Sequence, residues 1–127
     1  MDNHFRSDER LLRSAEPDLE IYWKDNGKPT SAIFKDSHGA SVDREGDRSL
    51  DEAADFLCAH KPGVILYVTF SDCNACDALV RYLPIDGENP WHSEIHRNEA
   101  IAPLTNSQAK HLAKCAVVFR RTQPEQT

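Results

Sequence analysis

Short apolar runs alternate with turn clusters along this chain, and the period of the runs changes from one to the next. The longest, VILYVTF from Val64 to Phe70, is continuously apolar and rich in β-branched residues, which predicts a strand covered on both faces. Two segments carry the capping-box signal of a helix start. Ser49 followed by Glu52 is a capping box opening a stripe of Leu50, Ala53, Ala54 and Leu57, and His60-Lys61-Pro62-Gly63 stops it. Thr105 with Gln108 repeats the signal ahead of Ala109, Leu112 and Ala113, and Cys115 to Phe119 reads as that helix's last turn or as a closing strand. Ser71 predicts the cap of a third helix with Ala75, Ala78 and Leu79 inside, followed by a strand from Tyr82 to Ile85 and a turn at Asp86-Gly87.

The first third of the chain is less regular. Ser7 predicts the cap of a short helix with Asp8 and Glu9 in its first turn, Leu11 and Leu12 inside, and Pro17 at its end. Asn26-Gly27 and Lys28-Pro29 mark a turn. Ala32 to Phe34 and Ala40 to Asp43 read as strands around a turn at 36–39, so 31–44 predicts a hairpin. The sum is an α+β fold: a single small domain over 7–121 with loose ends at 1–6 and 122–127. Its expected core is a short mixed sheet with a central strand at 64–70, covered by helices near 49–60, 71–81 and 105–115.

Composition narrows the function classes. A chain of 127 residues is long enough to bury a core without disulfides or metal. Its net charge of −6, with Arg120-Arg121 the only adjacent basic pair, argues against a non-specific grip on nucleic acid. No apolar run approaches a membrane span, and MDNHFRSDERLLRS lacks the apolar stretch of a secretory signal. The expected location is therefore the cytoplasm, where the four cysteines remain thiols.

Chemistry concentrates in one stretch. Cys73, Cys76, His92 and His96 form C-x2-C-x15-H-x3-H, a spacing that suits a tetrahedral zinc ion held by two thiolates and two imidazoles. Chelation requires His92 and His96 on a helix, which Asn89-Pro90 would start. On a strand they would stand about 13 Å apart. The order strand, C-x-x-C, helix resembles the thioredoxin family over VILYVTFSDCNACDALV, which implies a thiol activated at a helix N-terminus; Asp72, Asn74 and Ala75 depart from that family's aromatic-Cys-Gly-Pro-Cys core.

KPTSAIFKDSHGASVDRE and NPWHSEI resemble a group of small uncharacterised bacterial proteins. In that group an S-S-A-x-F-K-D stretch leads to S-V-D, and an N-P-x-H-x-x-I segment follows. The matching positions are Ser31, Ala32, Phe34, Lys35, Asp36, Ser41, Val42, Asp43, Asn89, Pro90, His92 and Ile95. The group brings no activity with it. It implies a structural or ligand-contact role for His92 beside Asn89 and Pro90, because its N-P-x-H segment is not tied to a C-x-x-C. It also singles out Lys35, Asp43 and His92, residue types that perform acid–base work when they share a face. Trp91 is a candidate partner-binding aromatic. Three functions follow: an accessory or protein-interaction domain without catalysis, its partner another protein; a zinc-binding module; or a small enzyme using Lys/Asp/His or thiol chemistry.

Overall fold

The computed structural model describes residues 3–121. One sheet of six strands organises them: β1 (Arg10–Ala15), β2 (Ala40–Arg44), β3 (Val64–Thr69), β4 (Leu79–Tyr82), β5 (His92–His96) and β6 (Val117–Arg120). Three helices complete the fold: α1 (Leu50–His60), α2 (Phe70–Ala75) and α3 (Asn106–Cys115). The class is α+β. The strand order is β4-β5-β2-β1-β3-β6, and each pairing is antiparallel. The expected sheet is mixed, and the nearest approach to a parallel pair is the β2–α1–β3 crossover. Its two strands do run the same way, but β1 lies between them and pairs antiparallel with both.

The sheet has two differently covered faces. Leu11, Ala40, Val42, Leu66, Val68 and Ile95 point into the larger core, which α2, α3 and the 3-10 turn at Ser31–Phe34 close with Cys73, Leu104, Leu112, Ile33 and Phe34. Leu12, Ile65 and half-buried Tyr67 point the other way, onto Ala53, Ala54 and Leu57 of α1. Beyond α1, that second face continues across β2 and β5 with buried and half-buried polar side chains, and this continuation carries the chemistry described below.

Both capping-box helices form as their sequences predict, α1 on Ser49/Glu52 and α3 on Thr105/Gln108. The interior strand runs to Thr69 and lies one place in from the β6 edge. Several elements differ. The helix expected from Ser7 to Pro17 is β1: Leu11 and Leu12 are both fully buried, but in opposite cores, which only a strand's alternation delivers. The strand expected at Ala32–Phe34 is a 3-10 turn, because Ile33 and Phe34 are neighbours buried in the same core; no 31–44 hairpin forms, and β2 pairs with β1 and β5. The helix expected over 71–81 stops at Ala75, where Asp77 takes a left-handed backbone (φ 59°). Its cap is Thr69, in a capping box with Asp72, rather than Ser71. Leu79, expected inside that helix, begins β4 and is exposed, and the strand expected at 82–85 is this earlier one. Cys115 ends α3, and the closing strand starts at Val117.

At the N-terminus, Phe5 stacks on Phe70 with ring centroids 5.2 Å apart, and Arg6 bonds the Gly46 carbonyl, so this part of the segment expected to be loose is packed. The expected loose C-terminus, 122–127, lies outside the described residues. Among the described residues no helix is long and apolar enough to cross a membrane.

Candidate functional site

The turn ahead of β5 is built by Asn89. Its side-chain carbonyl accepts from the Trp91 N–H at 2.9 Å, its own N–H donates to the Ile85 carbonyl, and Pro90 follows. This Asx turn launches a strand, so Asn89-Pro90 starts no helix here. The Asn89 amide is fixed at its other end too, donating to Asp43 Oδ1 at 2.8 Å. Asp43 and His92 are register partners on β2 and β5. The two segments that carry the bacterial-group resemblance therefore lie side by side, and strand alternation sends Asp43 and His92 out on the same face.

That face opens into a cleft of about 250 Å³ between the C-terminal end of α1 and the Ile85–Asn89 turn. Ser41, Asp43 and His92 line it from the sheet, His60 and its successor Lys61 from the C-terminal end of α1, and Asn89 from the turn. Asp43 is 3% exposed, and its Oδ2 is buried without a hydrogen-bond partner. A carboxylate oxygen in that state costs free energy on the order of 1–3 kcal/mol. The nearby guanidinium of Arg48 compensates part of the charge without pairing: burial lowers its pKa, and Asp43 is the foremost acid acting against that.

Beside Asp43, β5 presents a row of His92, Glu94 and His96. Glu94 reaches both rings, Oε2 lying 3.2 Å from His92 Nε2 and Oε1 3.2 Å from His96 Nε2. A carboxylate can only accept, so His92 Nε2 donates and a neutral ring leaves Nδ1 as an acceptor or base. His96 is fully buried, and its Nδ1 donates to the His38 carbonyl at 2.8 Å. Its Nε2 lies close to Glu94 but misses hydrogen-bond alignment, so it is a buried nitrogen without a hydrogen-bond partner.

The expected zinc ligands do not converge. His92 and His96 are on a strand and turn toward Glu94, on the face opposite Ile95. Cys73 is packed in the core that Ile95 enters. The sheet thus separates the cysteine pair from the histidine pair, and among the described residues no group of three His, Cys, Asp or Glu side chains is placed to hold a metal ion. The thiols are not activated either. Burial pushes the Cys73 and Cys76 pKa values up, and the Cys76 thiol donates to the Cys73 carbonyl at 3.4 Å. Cys115 stands 3.6 Å from His111 Nε2 on α3, a contact that the C-x-x-C reading did not include, and burial raises it as well.

Lys35 is not with Asp43 and His92. It follows the 3-10 turn and its ammonium bonds the Asn106 side chain at the start of α3. Trp91 is half-buried, with the Arg48 guanidinium stacked 3.9 Å from its ring centroid, so that face of the candidate aromatic is occupied within the chain. The sequence reading missed Glu94 and the Asn89–Asp43 bond. Once 92–96 is read as a strand, the H-x-E-x-H alternation points to the first. No family model matches this chain, and neither a curated protein nor a solved structure matches it.

Proposed function

We propose that this chain is a small accessory domain that binds rather than transforms its ligand. Its binding site is the Asp43–His92–Asn89 cleft, and the ligand is a small polar molecule presenting a hydrogen-bond donor such as an amine or guanidine group. The observation that carries this reading is the buried Asp43 Oδ2, which lacks a donor while its carboxylate lines a cleft. An arriving donor relieves that cost, and the neighbouring Asn89 amide and His92 ring are held in place by their hydrogen bonds to Asp43 and Glu94. The Lys/Asp/His enzyme reading loses support because Lys35 lies elsewhere, and the thiol reading because burial raises the pKa of the Cys73 and Cys76 thiols instead of activating them.

The test is a nuclear magnetic resonance titration with methylammonium and methylguanidinium, using tetramethylammonium as a cation that cannot donate. The first two shift the Asn89 side-chain and His92 resonances saturably, and Asp43→Asn abolishes the effect. Equal shifts with tetramethylammonium, or none that saturate, sink the proposal. Thermal denaturation of the same variant separates a binding role from a structural one. Removing an incompletely paired buried carboxylate leaves stability within about 1 kcal/mol of the parent or raises it, whereas an essential structural carboxylate would cost about 3 kcal/mol or more.

A further inference from the structure

A second cleft, of about 650 Å³, lies on the other side of the sheet. It sits between the 24–31 loop, the C-terminal half of α3 and the end of β6. Five cations line it, Lys24, Lys28, Lys110, Lys114 and Arg121, and no acidic residue does. This contrasts with the chain as a whole, where 21 acidic residues outnumber 15 Lys and Arg. The arrangement is built. The loop is closed by the Lys24 N–H donating to the Lys28 carbonyl at 2.8 Å, and Arg121 clamps it by donating to the Gly27 carbonyl at 2.8 Å. Lys110 and Lys114 are four apart on α3 and so share a face, a spacing that disfavours two like charges. No ion pair within 4 Å involves any of the four lysines among the described residues.

We propose that this cleft binds a small molecule carrying two or more phosphate groups. A concave surface lined by one sign of charge focuses its potential on whatever enters it. Lysine ammonium groups act as point-charge phosphate binders, and the volume falls within the roughly 300–1,000 Å³ range of small-molecule sites. A long nucleic acid fits less well, because the positive charge is confined to one cleft on an otherwise acidic protein. The proposal does not depend on the Asp43 cleft, which opens on the opposite face.

Isothermal titration of the full chain with inorganic tripolyphosphate tests it, with sulfate and an oligothymidylate of about 20 nucleotides as comparison ligands. Saturable tripolyphosphate binding is expected at about 50 mM salt, weakening as salt rises to about 200 mM. Lys114→Glu weakens it about tenfold, while Arg81→Glu, which makes the same change in net charge on β4, changes it less than about twofold. Circular dichroism confirms that both variants are folded. Four results overturn the proposal: no binding of tripolyphosphate, sulfate binding as tightly, equal weakening by the two variants, or binding of the oligonucleotide alone.

Discussion

At the scale of single residues, the polar face depends on one glycine. Gly39 has φ +136°, and a Cβ there would stand 2.5 Å from His96 Nδ1 and 2.8 Å from the Ile95 carbonyl. Its missing side chain is what lets the His38 carbonyl reach the buried ring of His96, which in turn sits beside Glu94. Gly39→Ala should therefore cost about 2–3 kcal/mol through backbone strain and steric overlap together. Urea denaturation measures this, and a loss below about 0.5 kcal/mol would show that the loop yields freely. The site was partly legible at this scale. Asp43 and His92 could be singled out because residue type and local motif are sequence properties. Lys35 was grouped with them wrongly because the step from 35 to 40 turns through Gly39, and the side of the sheet on which a residue emerges depends on that turn. The zinc pattern failed for a related reason: four ligands at good spacing say nothing of a sheet passing between them.

At the scale of elements, local signals served well where they were redundant. The boxes at Ser49/Glu52 and Thr105/Gln108 each join a cap to an apolar stripe of helical period, and both helices start where expected. β1 and the turn at Ser31–Phe34 were misread because paired apolar residues, Leu11-Leu12 and Ile33-Phe34, fit more than one period. Only the partner layers decide between them. The start of α2 shows the same limit on a finer scale. Both Thr69 and Ser71 are good caps, and the choice falls to Thr69, whose hydroxyl accepts from the Asp72 N–H at 3.1 Å while the Asp72 carboxylate accepts from the Thr69 N–H at 2.9 Å. Thr69→Ala is therefore expected to cost about 1 kcal/mol, and Ser71→Ala less than about 0.5 kcal/mol. Equal losses in thermal melts of the two variants would mean that the cap is shared.

At the scale of the whole molecule, the sheet carries a cleft on each of its two faces, and a buried ion pair ties the N-terminal segment to the strands between them. Glu9 is fully buried and accepts from Arg44 Nε at 2.8 Å, Arg44 Nη2 at 3.0 Å and the Gly46 N–H at 2.9 Å. Arg44 also donates to the His4 carbonyl, and its guanidinium lies over the rings of Phe5 and Tyr82 at 4.2 and 4.8 Å. One cluster thus joins the chain start, β1, β2 and β4. Burial by itself would raise the Glu9 pKa. The Arg44 and Gly46 hydrogen bonds and the Arg44 charge outweigh it, so the native value lies below the ordinary carboxylate value. A native pKa lower than the unfolded one supplies stability that is complete above the unfolded value and is lost as pH falls through the native one. Glu9→Gln leaves Arg44 facing a neutral amide in a buried site, with an expected cost of about 3–5 kcal/mol at neutral pH. Because acid also removes the Glu9 charge from the parent, the gap between parent and variant should narrow as pH is lowered from about 5 toward 2. Urea denaturation at a series of pH values measures that gap. Parallel pH profiles would mean that Glu9 stabilises the fold by shape and hydrogen bonding alone, with no contribution from its charge.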